Sequence, residues 1–214
     1  MLSEWVSLLQ KKMEMLALDL RERVATRREA DDLPDPRVAD PDGLWRKIDA
    51  MGGRIRVNLG CGEKPLEGYV NVDFREAPHV DIVADARRLP FEESTLAEIF
   101  SSHLVEHFRR HHFATSVLPY WRRLLLPGGL LRTVCPNWQE MLRRLHDGEM
   151  RLEDFTLVTF GAQDYCGDDH FSMYTPQTLG ALLESSGFES IEVVAEARQN
   201  GLCPEMEILA VRKG

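Results

Sequence analysis

The chain has 214 residues, 43% hydrophobic and 29% charged, which suits one main domain with its own core and excludes wholesale disorder. A formal net charge of -9 sets the molecule against phosphate backbones, so nucleic acid is not expected as a substrate. Apolar runs such as Leu124, Leu125 and Leu126 fall far short of a membrane span, no basic-then-apolar leader opens residues 1–20, and Cys61, Cys135, Cys166 and Cys203 lack C-x-x-C spacing, so a cytoplasmic protein with reduced thiols is expected.

Leu2, Trp5, Leu9, Met13, Leu16, Leu20 and Val24 recur at steps of three and four, which predicts an amphipathic helix within residues 1–29. Its apolar stripe must pack on the main domain or on a second copy in a homodimer. Residues 30–53 read as a linker, with Pro34, Pro36 and Pro41 among aspartates, and a short helix around Leu44, Trp45 and Ile48. The main domain is expected over residues 54–214. There, β-prone runs at 54–59, 69–72, 80–84, 98–102 and 130–134 are predicted strands. A helix is expected to begin near Pro119, because proline is tolerated in a first turn. Thr175 and Pro176 open another helix through Leu183 that stops by Gly187, and residues 190–195 and 205–211 read as two last strands. Such alternation predicts an α/β fold: a three-layer, doubly wound, mostly parallel sheet. The pairs Arg109 with Arg110, Arg122 with Arg123 and Arg143 with Arg144 read as solvated faces.

In an open α/β sheet, ligands bind beyond the carboxyl ends of the strands at the topological switch point. The first main-domain strand ends Asn58-Leu59-Gly60-Cys61-Gly62, where glycines admit close backbone approach. Asp73 ends the second, placed to accept from ribose hydroxyls, and Asp85 follows the third, placed to accept from an adenine amino group. The ordered set suggests a nucleoside-shaped site. A dinucleotide fingerprint would need glycine at position 65, which is Pro65, and an acidic residue farther along than Asp73. A cofactor without a pyrophosphate needs neither.

Val57 to Asp73 (V-N-L-G-C-G-E-K-P-L-E-G-Y-V-N-V-D), then A-D-A-R-R-L-P from Ala84, S-S-H-L-V-E-H-F from Ser101 and L-L-L-P-G-G-L-L from Leu124 together resemble class I, Rossmann-like S-adenosylmethionine-dependent methyltransferases. The resemblance covers about three quarters of the chain and implies a seven-stranded sheet whose last strand is antiparallel. It implies that Asn58, Leu59, Gly60, Cys61 and Gly62 line the methionine part of S-adenosylmethionine, Asp73 and Phe74 its ribose, Asp85 and Ala86 its adenine, and Ser102, His103 and His107 its sulfonium. The loop 63–68 departs from the family pattern, lacking the third glycine and leaving little room for the usual helix before the second strand. The short form of the motif is similar to small stand-alone enzymes of bacterial polysaccharide or secondary-metabolite pathways, which implies a small-molecule acceptor such as a sugar hydroxyl.

For a hydroxyl acceptor a general base helps, and His107 and His170 are the candidates, His170 within a polar loop placed to reach over the pocket. Asp168, Asp169 and His170, or His111 or His112 with a distant carboxylate, have weak metal-ligand patterns, so no metal is assigned. Cys61 reads as a small residue filling the turn, and Trp138 as core or pocket rim. Two alternatives are a non-catalytic partner protein with a methyltransferase fold and a nucleotide-binding oxidoreductase.

Overall fold

Strand residues buried on both faces set the architecture, because a parallel sheet covered on both sides needs near-continuous apolar runs. In the computed structural model of the protein, which describes residues 33–165 and 167–214, Val57, Leu59, Val70, Val72, Ile82, Leu96, Ile99 and Leu131 are such residues. The helix expected within residues 1–29, the linker through residue 32 and Cys166 lie outside the described residues. Residues Pro36–Gly214 form one compact unit.

Its sheet contains β1 (Arg37–Val38), β2 (Ile55–Leu59), β3 (Val70–Asp73), β4 (Ile82–Val83), β5 (Leu96–Ser102), β6 (Leu125–Pro136), β7 (Phe188–Asn200) and β8 (Cys203–Arg212), in the order β1-β4-β3-β2-β5-β6-β8-β7. Strands β4, β3, β2, β5 and β6 run parallel, and β8 runs antiparallel to both β6 and β7. The eighth strand, beyond the seven expected, is β1: Arg37 and Val38 pair antiparallel with Val83 and Ile82 at the edge.

The helices are α1 (Pro41–Ala50), α2 (Arg110–His112), α3 (Leu118–Leu124), α4 (Trp138–His146), α5 (Leu152–Phe160) and α6 (Pro176–Ser185). Asp40 caps α1 by accepting from the Gly43 N–H, and Lys47 ties α1 to the sheet through Asp81 at 2.6 Å. Residues 60–69, 74–81 and 84–95, which join β2 to β3, β3 to β4 and β4 to β5, contain no helix, so this half of the sheet is not wound as expected. Helix α3 does begin as expected, with Pro119 in its first turn, but it continues a longer helical run. The helical run begins at Arg110 and passes through a π-helical stretch, Phe113–Val117, before α3. In a regular α-helix the Pro119 ring would meet the carbonyl four residues earlier, and the wider turn relieves that conflict.

Trp121 and Leu118 on α3, Phe113 in the π turn, Leu179 and Leu183 on α6, and Met206, Ile208 and Ala210 on β8 complete the core. Thr175 and Thr178 form a reciprocal capping box at the start of α6, with Pro176 at its first position. A second, smaller cluster joins Trp138, Met141 and Met150, and Trp138 stacks edge-on with Phe155 at 6.0 Å. Trp138 is therefore core and not pocket rim.

Candidate functional site

With β2 central, the chain runs β2, β3, β4 to one side and β5, β6 to the other, which puts the switch point at the carboxyl ends of β2 and β5. The turn after β2 is built on left-handed backbone at Gly60 (φ +64) and Gly62 (φ +49). A side chain at Gly60 would put its Cβ 3.1 Å from the end of Leu104, a tight contact added to the conformational demand for glycine. The loop that follows is held by a buried amide pair. Asn58 Nδ2 donates to Asn71 Oδ1 at 2.9 Å and to the Lys64 carbonyl, and Asn71 Oδ1 also accepts from the Leu66 N–H at 2.8 Å. Asn58 and Asn71 thus fold the loop in place of the usual helix.

A cavity of about 380 Å³ opens at these strand ends, lined by Gly60, Asp73, Phe74, Asp85, Ala86, His103 and His107 among the expected residues. Leu59 lies in the core, and Asn58, Cys61, Gly62, Ser102 and His170 do not line this cavity. Gly62 serves it indirectly: its N–H donates to Asp73 Oδ2 at 2.8 Å, fixing the buried carboxylate. The Cys61 thiol is pushed up to about 12 by burial and by the nearby Asp73 and Asp81 carboxylates, so it is protonated and no nucleophile.

Arg75, Arg87, Leu104, Phe108, Tyr165 and Gly167 also line the cavity; Arg87, Leu104 and Phe108 fall within the quoted motifs, but none of the six was assigned a role from sequence. Arg75 pairs with Asp73 Oδ1 at 3.3 Å while its guanidinium lies 4.4 Å from the Tyr165 ring centroid and 5.5 Å from that of Phe74. The loop before α6 therefore does reach the cavity, through Tyr165 and Gly167. Arg87 forks onto Asp85 through Nε and Nη2, each at 2.8 Å. Burial alone would raise the Asp85 carboxyl, but the Arg87 side chain and N–H outweigh it and hold it below the usual range. Ala86 is fixed from beneath, its carbonyl accepting from Trp121 Nε1 at 2.8 Å. Arg87 lies within a quoted motif, and Arg75 and Gly167 lie one or two residues from positions that the sequence marks, whereas Tyr165 carries no local signal.

His103 has left-handed backbone (φ 51) and sits between two buried carboxylates, Glu205 Oε2 at 2.9 Å from Nε2 and Glu106 Oε1 at 3.2 Å from Nδ1. Burial opposes its charge, but the two glutamates prevail and raise it to about 9, so the ring is an imidazolium at neutral pH. Glu205 is in turn bound by Asn200 and Arg198, and Arg198 also bridges to Glu207. His103 also lines a neighbouring cavity of about 270 Å³ with Leu157, Val158, His170, Asn200 and Leu202. Between the cavities the His107 and His170 rings meet edge-on with centroids 4.7 Å apart. Burial lowers His170, keeping it neutral. The two base candidates are thus brought together, one on each cavity.

Among the paired arginines, Arg143 and Arg144 bind Glu140, and Arg123 binds Glu93. No helix among the described residues is long and apolar enough to cross a membrane. No protein-family model and no curated protein matches the chain. Solved structures do. A 1,6-didemethyltoxoflavin-N1-methyltransferase of Burkholderia thailandensis, solved with its substrate and S-adenosylhomocysteine, aligns with a TM-score of 0.54 at 14% identity over 94% of this chain and 90% of that one. A methyltransferase of Thermotoga maritima aligns with 0.52 at 13% identity over 80% and 96%. One from Archaeoglobus fulgidus aligns with 0.51 at 17% identity over 80% and 92%. Each is described as a methyltransferase, and the chain has the fold of S-adenosylmethionine-dependent methyltransferases, with its main cavity at the carboxyl ends of the sheet's parallel strands.

Proposed function

We propose that the protein is an S-adenosylmethionine-dependent methyltransferase acting on a small-molecule acceptor, a hydroxyl of a sugar or related metabolite. The observation that carries this is the meeting of Gly60, Asp73, Asp85 and His107 around one cavity at the switch point. Its volume, about 380 Å³, falls in the range of small-molecule sites. A carboxylate offers about four acceptor directions, so Asp73, which accepts from the Gly62 N–H and from the N–H and Nε of Arg75, retains about one for a ribose hydroxyl.

When bound, S-adenosylmethionine supplies a methyl group already made electrophilic by its sulfonium, so the chain's task is to align an acceptor and exclude water. Asp73 would hold the ribose and the backbone around Asp85 and Ala86 the adenine. The acceptor would enter from the open neighbouring cavity lined by Leu157, Val158 and Leu202. His107 turns Nδ1 toward the Asp169 carbonyl at 3.1 Å, which leaves Nε2 to take the acceptor's proton, and His170 is the second base candidate. A homodimer joined through residues 1–29 belongs to the same proposal. Sedimentation of the full chain against residues 36–214 checks it, since only the full chain should then dimerise.

The direct test is calorimetric titration with S-adenosylmethionine and, in parallel, with NAD. Saturable binding of the former alone is expected, with Asp73→Ala weakening it roughly ten- to a hundredfold, as befits hydrogen bonds to a charged acceptor. A wild-type protein that binds neither would overturn the catalytic proposal and favour a non-catalytic partner role.

A further inference from the structure

Glu106 is fully buried, yet neither of its carboxylate oxygens has an aligned hydrogen-bond donor among the described residues. The nearest cation, His103, has Nδ1 3.2 Å from Oε1, within ion-pair range but outside hydrogen-bond alignment. The imidazolium answers Oε1, whereas Oε2, equally buried, has no hydrogen-bond donor among the described residues, which is costly unless something else satisfies it. Beside it stand His107 and His170, and one ligand atom from each of the three residues lies within 4.8 Å of the others. We propose that Glu106, His107 and His170 form a binding site for one divalent first-row transition-metal ion, at the junction of the two cavities.

The histidines are prepared for such a role. Each points Nδ1 at a backbone carbonyl, His107 at Asp169 (3.1 Å) and His170 at Val158 (2.8 Å). That bond selects the Nδ1–H tautomer and leaves the Nε2 lone pair to offer, the arrangement in which imidazole is oriented for a metal. The segments are also fastened to one another, because the N–H groups of Phe171 and Ser172 both donate to the Glu106 carbonyl, at 2.8 and 3.1 Å. The ligand set would thus be held by the fold before any ion arrives.

Two imidazoles and one carboxylate suit zinc, cobalt, manganese or iron(II), whereas magnesium and calcium favour sets made of oxygen. Three protein ligands leave coordination positions open, and these would face the cavities that His107 and His170 line. An acceptor hydroxyl taken up there would lose its proton more easily than a free one, the proton passing to solvent, and His107 and His170 would then serve as ligands in place of the base role. Only this use of the ion rests on the methyltransferase proposal; the binding itself does not.

The test uses the full chain without an affinity tag, freed of metal by chelator and titrated with cobalt(II), the visible d–d absorption being read. One cobalt per chain is expected, displaced by zinc(II) and not by equimolar magnesium(II). His107→Ala and His170→Ala should each weaken cobalt binding at least about tenfold with unchanged circular dichroism. His146→Ala, on an exposed surface of α4, should leave it unchanged. Because Glu106→Gln could unfold the core, the decisive variant is His170→Ala, in the half-buried loop. Absence of a cobalt spectrum in the wild type, or full binding by both histidine variants, overturns the site. The two proposals fail separately: without the metal site S-adenosylmethionine would still titrate against Asp73, and without the cofactor the cobalt spectrum would still appear.

Discussion

Trp121 links the deepest part of the core to the cavity, since its ring is fully buried and its Nε1 holds the carbonyl of Ala86. Trp121→Phe keeps most of the apolar surface but strands that acceptor, at a cost of about 1–3 kcal/mol. Thermal unfolding should show a lower Tm, and S-adenosylmethionine titration a weaker affinity; an unchanged Tm would mean that Ala86 is held by other contacts. The thiols offer a second residue-level check. Burial raises Cys61 and Cys203 to about 12 from an ordinary 9.0, and Cys135 well above it. Only thiolate reacts fast, so in a Cys166→Ser variant at pH 8 a disulfide reagent should find no fast thiol until denaturant is added. The sign for stability follows. A proton held more tightly in the folded state gives stability that is complete below pH 9 and lost as pH climbs from about 9 toward 12. At this scale Asp73 and Asp85 are legible because a carboxylate directly after a strand has few structural uses. Arg75, Tyr165 and Glu106 are not, because their roles depend on neighbours that the chain supplies from far along its length.

The first half of the sheet shows how much an element can be replaced. Where the fold family uses a helix between β2 and β3, this chain uses the Asn58–Asn71 amide pair, and Pro65 and the shortness of the loop already pointed that way. Helix α4 was not expected from the sequence, although Asn137 caps it by accepting from the N–H groups of Gln139 and Glu140. The π stretch before α3 leaves no such mark, because it is a response to Pro119 within a run whose packing is decided by Phe113, Val117 and Trp121. Gly161 ends α5 with φ +80, and a Cβ there would fall 1.9 Å from the Asp168 carbonyl oxygen. Gly161→Ala must therefore displace the loop that carries Tyr165, Gly167 and His170. A loss of at least about 1 kcal/mol is expected in urea unfolding. Amide exchange should also quicken through residues 164–170; retention of wild-type exchange there would show that the loop is held independently of α5.

At the scale of the whole molecule, residues Pro36–Gly214 carry their own core and sheet, so a chain of residues 36–214 is expected to unfold in one cooperative transition in urea, followed by circular dichroism. The parallel arrangement and the antiparallel end were legible from alternation and from motif order, while the strand at Arg37–Val38 was not, since two residues carry no period. The position of β8 bears on how the protein is made. It follows every other strand of this sheet in the chain, yet it lies between β6 and β7 and supplies Glu205 and Glu207 to His103, Arg132 and Arg198. Until it emerges, β6 is an open edge able to pair with another nascent chain, and His103 has lost one of its two counter-charges. Closure of the sheet and completion of the polar network therefore both wait on β8, and a product stalled or shortened before it lacks both together.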